Sequence, residues 1–220
     1  KNYFRRNTLS ALVDRILSGQ FTLIAEIGVN YYDIATERGI TPMEAAKLMC
    51  LEAKDAGIHA VKFQTYKAEN LAAKKSPSYW DTTEEPTTSQ RELFKKFDSF
   101  GESEYEELAK YCEDIGIDFC STAFDFESAD YLDRLMDVYK ISSSDLTNIP
   151  FIEHQAAKGK PIIMSVGAGD LDEMKNAVQA VRKVSNAPLV LMHCVLEYPT
   201  PYQNANLRRI QTLAKEFPDA

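Results

Sequence analysis

Six apolar stretches of this chain each carry, near their C-terminal ends, a residue able to do chemistry. Glu26 lies in FTLIAEIGVN (21–30), Lys62 in HAVKFQTY (59–66) and Thr122 in IDFCSTAF (117–124). Lys140 and Ser143 lie in VYKISSSD (138–145), Ser165 in PIIMSVG (161–167) and His193 in PLVLMHCV (188–195). A charged group inside an apolar run is costly unless a partner or a ligand repays its desolvation. Two lysines with hydroxyls beside them make a receptor for a small phosphorylated or carboxylated anion. A lysine in such a place also fits Schiff-base chemistry, and a single strand lysine fits an exposed edge. The run Ser142–Ser144 fits a strand end with local turn bonding as well as a ligand contact.

Strand residues alternate faces, so the candidates can be tested for common orientation. Thr22, Ile24, Glu26 and Gly28 share a face, as do Lys62 with Gln64, Cys120 with Thr122, and Lys140 with Ser142. Ser165 pairs in the same way with Ile163, and His193 with Leu191. Behind each stretch comes a helical pattern. Thr41 with Glu44 reads as a capping box opening a helix that Gly57 stops. Further helices are predicted over Ser103–Ile115, Glu127–Met136, after Pro150, over Leu171–Val184 and over Asn206–Phe217. Strict alternation implies parallel strands with right-handed crossovers. The expected fold class is therefore α/β: a doubly wound sheet or a (β/α)8 TIM barrel with about six of its eight units in residues 21–220. No GxGxxG follows the first strand, which leaves a dinucleotide fold little support. In a barrel the polar row would open at the mouth formed by the strand ends.

Lys67 to about Ser99, with Pro77, Trp80 and Pro86, is too long for a simple connection and is a candidate lid, with a short helix near Gln90–Lys96. Residues 1–20 read as an amphipathic helix and not a signal peptide, because Asp14 and Arg15 interrupt the apolar run. His59 and His154 fall away from the mouth, and His193 alone fits a hydrogen-bonded core residue better than a metal ligand. The four cysteines, Cys50, Cys112, Cys120 and Cys194, form no CxxC pair and read as buried reduced thiols of a cytoplasmic protein. With 45% hydrophobic and 26% charged residues the composition is that of an ordinary globular protein. A net charge of −8 argues against nucleic acid as the main partner, and no apolar run reaches the length needed to span a membrane.

The motifs AEIGVN (25–30), VKFQTYKAENL (61–71), CSTAFD (120–125), YKISSSDLTNIP (139–150), GKPIIMSVGAG (159–169) and HCVLEYPTP (193–201) occur in order. Together they resemble the N-acetylneuraminate (sialic acid) synthase family over roughly residues 20–220. The resemblance implies a TIM-barrel synthase that condenses phosphoenolpyruvate with an N-acylated sugar aldehyde, such as N-acetylmannosamine, to give a sialic-acid-type nonulosonate and phosphate. It implies that Glu26 acts in proton transfer or charge stabilisation and that Lys62 and Lys140 are the phosphoenolpyruvate lysines. Thr122, Ser143 and Ser165 would bond its phosphate and carboxylate, while Asp145 and Tyr198 would contact the sugar. It further implies a divalent metal, often manganese, and a homodimer. The family's metal-binding histidines, the first in a Ser-Asp-His-Thr motif on strand seven and the second on strand eight, are expected beyond Ala220, as is a C-terminal antifreeze-like domain. Departures from the pattern are Asp145 for glutamate, Leu196 for Asn or Ser, Ala123 for proline and Val166 for threonine. A Schiff-base aldolase and a non-catalytic sugar- or anion-binding homologue are the alternatives.

Overall fold

The structure is a computed structural model that describes residues 10–220, and these fall into two compact units: residues 23–136, and residues 10–22 with 137–220. Helix α1 (Ala11–Leu17) belongs to the second unit. Ser10 caps it by accepting from the Val13 amide, and Leu12 and Val13 are its buried residues. It is the described part of the helix expected over 1–20; residues 1–9 lie outside the described residues.

In the first unit β1 (Ile24–Gly28) leads through α2 (Tyr31–Arg38) and α3 (Pro42–Asp55) to β2 (Ala60–Thr65). The excursion helices α4 (Ala68–Leu71) and α5 (Gln90–Lys95) precede α6 (Glu102–Ile115), β3 (Asp118–Ala123) and α7 (Phe126–Leu132). The strands form one parallel sheet in the order β1-β2-β3. Helix α3 starts with the expected capping box: Thr41 Oγ1 accepts from the Glu44 amide, and the Glu44 carboxylate accepts from the Thr41 amide at 2.8 Å. Gly116 ends α6 in the left-handed conformation. Tyr105, Leu108, Ala109 and Cys112 form the buried stripe of α6 at the 3–4-residue spacing of a helix face. Tyr31, Phe63, Phe100, Tyr105 and Phe119 interlock as the aromatic core. Burial of a ring such as that of Phe63 stabilises by about 2–3 kcal/mol, and burial also pushes the Tyr31 phenol far above its usual range.

Helix α2 was not expected from the sequence. Only Tyr31 and Ala35 are buried along it, one turn apart, which is too short a stripe to register as periodicity. The segment read as a lid is structured: Pro77 and Ser89 pair as an antiparallel bridge, and the Trp80 indole N–H donates to the Glu85 and Thr87 carbonyls. The Lys96 ammonium and the Thr87 side chain and backbone amide hold the partly exposed Glu85 carboxyl down at about 2. At its root the Lys67 ammonium donates to the Asp98 and Phe100 carbonyls at 2.6 and 2.8 Å.

The second unit repeats the alternation: β4 (Tyr139–Ile141), α8 (Ile149–Ala156), β5 (Ile162–Ser165), α9 (Leu171–Val184), β6 (Leu189–Met192) and α10 (Arg209–Glu216). The sheet is parallel in the order β4-β5-β6. Two of these strands are shorter than their apolar runs predict. β4 stops at Ile141 because Ser142 turns the chain, its Oγ accepting from the Ser144 amide, and Ser143–Asp145 form a single 3-10 turn. β6 stops at Met192, before His193. Helix α10 opens at Arg209, later than predicted, after a 3-10 turn at Tyr202–Asn204. Among the described residues no helix is long and apolar enough to cross a membrane.

Candidate active site

In the first unit register decides what meets. Glu26 lies opposite Lys62, Lys62 opposite Cys120, and Gln64 opposite Thr122, so Glu26, Lys62, Gln64 and Thr122 share one face near the C-terminal strand ends, as their spacing predicted. The Lys62 ammonium lies 2.5 Å from Glu26 Oε2 and donates to Thr122 Oγ1 at 3.2 Å. Gln64 Nε2 donates to the other Glu26 oxygen, Oε1, at 3.3 Å. The Lys62 side chain is 12% exposed and that of Glu26 48%, so the carboxylate stands above a sunken cation. The pairing slips between Glu26 and Gly28, a bulge of the kind that re-aims a side chain at a sheet edge. Gly28 adopts φ +55, and a Cβ there would lie 3.2 Å from Glu26 Oε1 and 3.3 Å from Gln64 Nε2. Chemically, this is a half-exposed proton acceptor whose second oxygen is oriented by an amide, over an ammonium and a hydroxyl able to bind an anion.

In the second unit Lys140 lies opposite Ile163, which in turn lies opposite Val190; Ser165, two residues on, lies opposite Met192. The Lys140 ammonium donates to Ser165 Oγ at 2.6 Å and to the Ile141 carbonyl at 2.9 Å, and both side chains are buried. Ser143 Oγ accepts from the Gly167 amide at 3.0 Å. At Gly167 two backbones come close: a Cβ there would lie 2.9 Å from the Cys194 backbone. Asp145 is half-buried with Oδ2 unpartnered among the described residues, and burial pushes its carboxyl up against the opposing bond from Asn148.

One expectation needs correction. His193 was read as a mouth residue sharing the common face, but the register puts Met192, not His193, in the row of Lys140 and Ser165. The His193 ring is turned to the chain itself, Nε2 donating to the Ala205 carbonyl at 2.7 Å, which fits the core reading. Tyr198, expected beside a substrate, lies on the loop after β6 with 89% of its surface exposed. Gln64, two residues from Lys62 and so on the same face, takes a part that the sequence pattern alone does not assign, orienting the Glu26 carboxylate. The anchoring of the 166–169 turn by Arg209, whose Nη2 donates to the Gly169 carbonyl at 2.9 Å, left no trace in local pattern. Among the described residues no three His, Cys, Asp or Glu side chains gather so as to hold a metal ion.

Parallel strands separated by helices, with lysine and hydroxyl groups near the strand ends, define an α/β protein. Residues 49–220 match the NeuB family, and the chain belongs to it. It is 37% identical over 202 residues to the N,N'-diacetyllegionaminic acid synthase of Legionella pneumophila, an alignment covering 89% of this chain and 54% of that protein. It is 31% identical over 216 residues to the N-acetylneuraminate-9-phosphate synthase of Drosophila melanogaster, covering 94% of this chain and 55% of that one. Among solved structures it resembles the N-acetylneuraminic acid (sialic acid) synthetase of Leptospira borgpetersenii in complex with citrate, with TM-score 0.73 and 31% identity over 88% of this chain and 61% of that chain. The chain thus spans about half the length of the curated relatives it matches.

Proposed function

We propose that the protein to which this chain belongs condenses phosphoenolpyruvate with an N-acylated sugar aldehyde, N-acetylmannosamine or a relative, to form a nonulosonate and inorganic phosphate. The carrying observation is the Glu26–Lys62–Thr122 cluster on one face of a parallel sheet in a NeuB-family chain. In this reading the enol carbon of phosphoenolpyruvate bonds to the aldehyde carbon and the aldehyde oxygen takes up a proton. Water then adds at the phosphate-bearing carbon, whose C–O bond to phosphate breaks to leave the 2-keto acid.

The residues divide the work. Lys62 and Lys140 supply positive charge to an anion carrying phosphate and carboxylate, and Thr122, Ser143 and Ser165 supply hydroxyl contacts. Glu26, half-exposed and oriented by Gln64, moves the proton. Asp145 is assigned to the sugar, and Tyr198 would reach it only from its exposed loop. The relatives named above are synthases of N-acylated sialic-acid-type sugars, and the Leptospira relative is seen with citrate, itself a polycarboxylate. The (β/α)8 barrel and the homodimer belong to the same reading. A divalent metal, manganese by the family resemblance, is part of it too. The described residues offer that metal no ligand set, so it is given no step.

The test is phosphate release by the full-length protein given phosphoenolpyruvate, manganese and a panel of N-acyl hexosamines, with the product followed by mass. Release dependent on one N-acyl sugar, with a matching nonulosonate mass, is the expected result. No release with any of the panel would overturn the reading.

A further inference from the structure

The helices leading into the two strands that carry Lys62 and Thr122 meet through a pair of thiols. Cys50 lies on α3 and Cys112 on α6, both with no exposed surface, and their sulfurs are 3.7 Å apart. The contact is clamped on both sides. One turn toward the helix N-termini, the Lys47 ammonium reaches Glu107 at 2.6 Å and sits 5.5 Å from the Tyr111 ring centroid. One turn the other way, the Lys54 ammonium donates to the Gly116 carbonyl at 2.5 Å. Residues 47, 50 and 54 form one stripe of α3, so these polar ties fix the register in which the sulfurs face each other. The other cysteines are differently engaged: the Cys120 thiol donates to the Val61 carbonyl and the Cys194 thiol to the Met192 carbonyl.

We propose that Cys50 and Cys112 form an oxidation site, converted by a small peroxide into a disulfide that staples α3 to α6. A disulfide sulfur pair lies about 2.05 Å apart, so closure asks for less than about 2 Å of approach between side chains already in contact. One thiolate attacks the O–O bond of the peroxide, giving a sulfenic acid and water. The second thiolate attacks that sulfur, the S–O bond breaks, and the oxygen leaves as a second water with the thiol protons. Two thiols are oxidised by two electrons and one peroxide is reduced. With no exposed surface on either cysteine, peroxide reaches them on local opening of the α3–α6 contact, and the bond closes a long loop, which constrains the unfolded chain. The staple ties together the helices that feed β2 and β3 without touching the Glu26–Lys62–Thr122 face.

The experiment is to expose the full-length protein to hydrogen peroxide, alkylate the remaining thiols after denaturation, and map peptides without reductant. A cross-linked peptide joining Cys50 to Cys112, lighter by a pair of hydrogens and released by reductant, is expected. The oxidised protein should also melt about 5–10 °C higher. Cys50→Ala should remove both the cross-link and the rise in Tm, and the wild-type map decides the matter should that variant not fold. Recovery of both cysteines fully alkylated, or as sulfinic acids with no cross-link, would overturn the proposal. A cross-link with no rise in Tm would overturn its role as a staple.

Discussion

The two strand-end lysines keep different company. Lys62 meets a carboxylate: Glu26 lies across the sheet from it, and Gln64 orients that carboxylate from the same face. Lys140 occupies a row with Ile163 and Val190, and donates to a serine hydroxyl and a carbonyl. The first arrangement can move a proton, because an acid–base group is held beside a cation at a half-exposed position. The second is a buried ammonium that donates to a hydroxyl and a carbonyl, which suits holding an anion. The same position near a strand end thus faces a carboxylate across the pair at Lys62 and an apolar side chain at Lys140.

Replacing Glu26 with Gln should have the largest effect, lowering kcat about 10²–10⁴-fold with little change in the KM for phosphoenolpyruvate, as loss of a general acid–base does. Lys140→Ala should act in the opposite sense, raising that KM about 10–100-fold while kcat falls less, since a charge-assisted contact in the bound state is lost. Steady-state phosphate release on both variants checks the pair.

The glycines extend the contrast to backbone. Gly167→Ala places a Cβ 2.9 Å from the Cys194 backbone, which cannot swing aside as a side chain can. It should cost about 2–3 kcal/mol in denaturant unfolding. Gly28→Ala meets only the tips of Glu26 and Gln64, so it should cost about 1 kcal/mol for its left-handed φ, yet depress kcat by displacing the carboxylate.

The smallest effect is expected at Asp145. Burial raises its folded-state pKa, so its contribution is fully present below the ordinary carboxyl range and is lost as pH rises through the raised value. Asp145→Asn should therefore raise Tm by about 1–3 °C near pH 7, and the gain should vanish in acid. Melting curves across pH read this directly.

Much of this was legible in the sequence, for a local reason. Period-two alternation put Glu26, Lys62, Gln64 and Thr122 on one face, and parallel register needed only to bring the strands level. Capping chemistry marked the start of α3 for the same reason, since Thr41 and Glu44 are three residues apart. Face and strand end in the second unit do not follow from the pattern. The parity of His193 with Leu191 predicts the mouth, whereas the register puts Val190 and Met192 in the row of Lys140 and Ser165, the strand stops at Met192 and the ring donates to Ala205. The serines after Ile141 were read as strand although their hydroxyls compete for the backbone. Contacts such as Lys140 with Ser165 and Arg209 with Gly169 join separate elements, so no local period encodes them.

The most direct measurement is kcat and KM for phosphoenolpyruvate in full-length Glu26→Gln and Lys140→Ala, determined side by side. A split is expected: Glu26→Gln loses kcat at nearly constant KM, and Lys140→Ala loses mainly affinity. Equal loss of the same parameter in both, or wild-type kinetics in either, would contradict it.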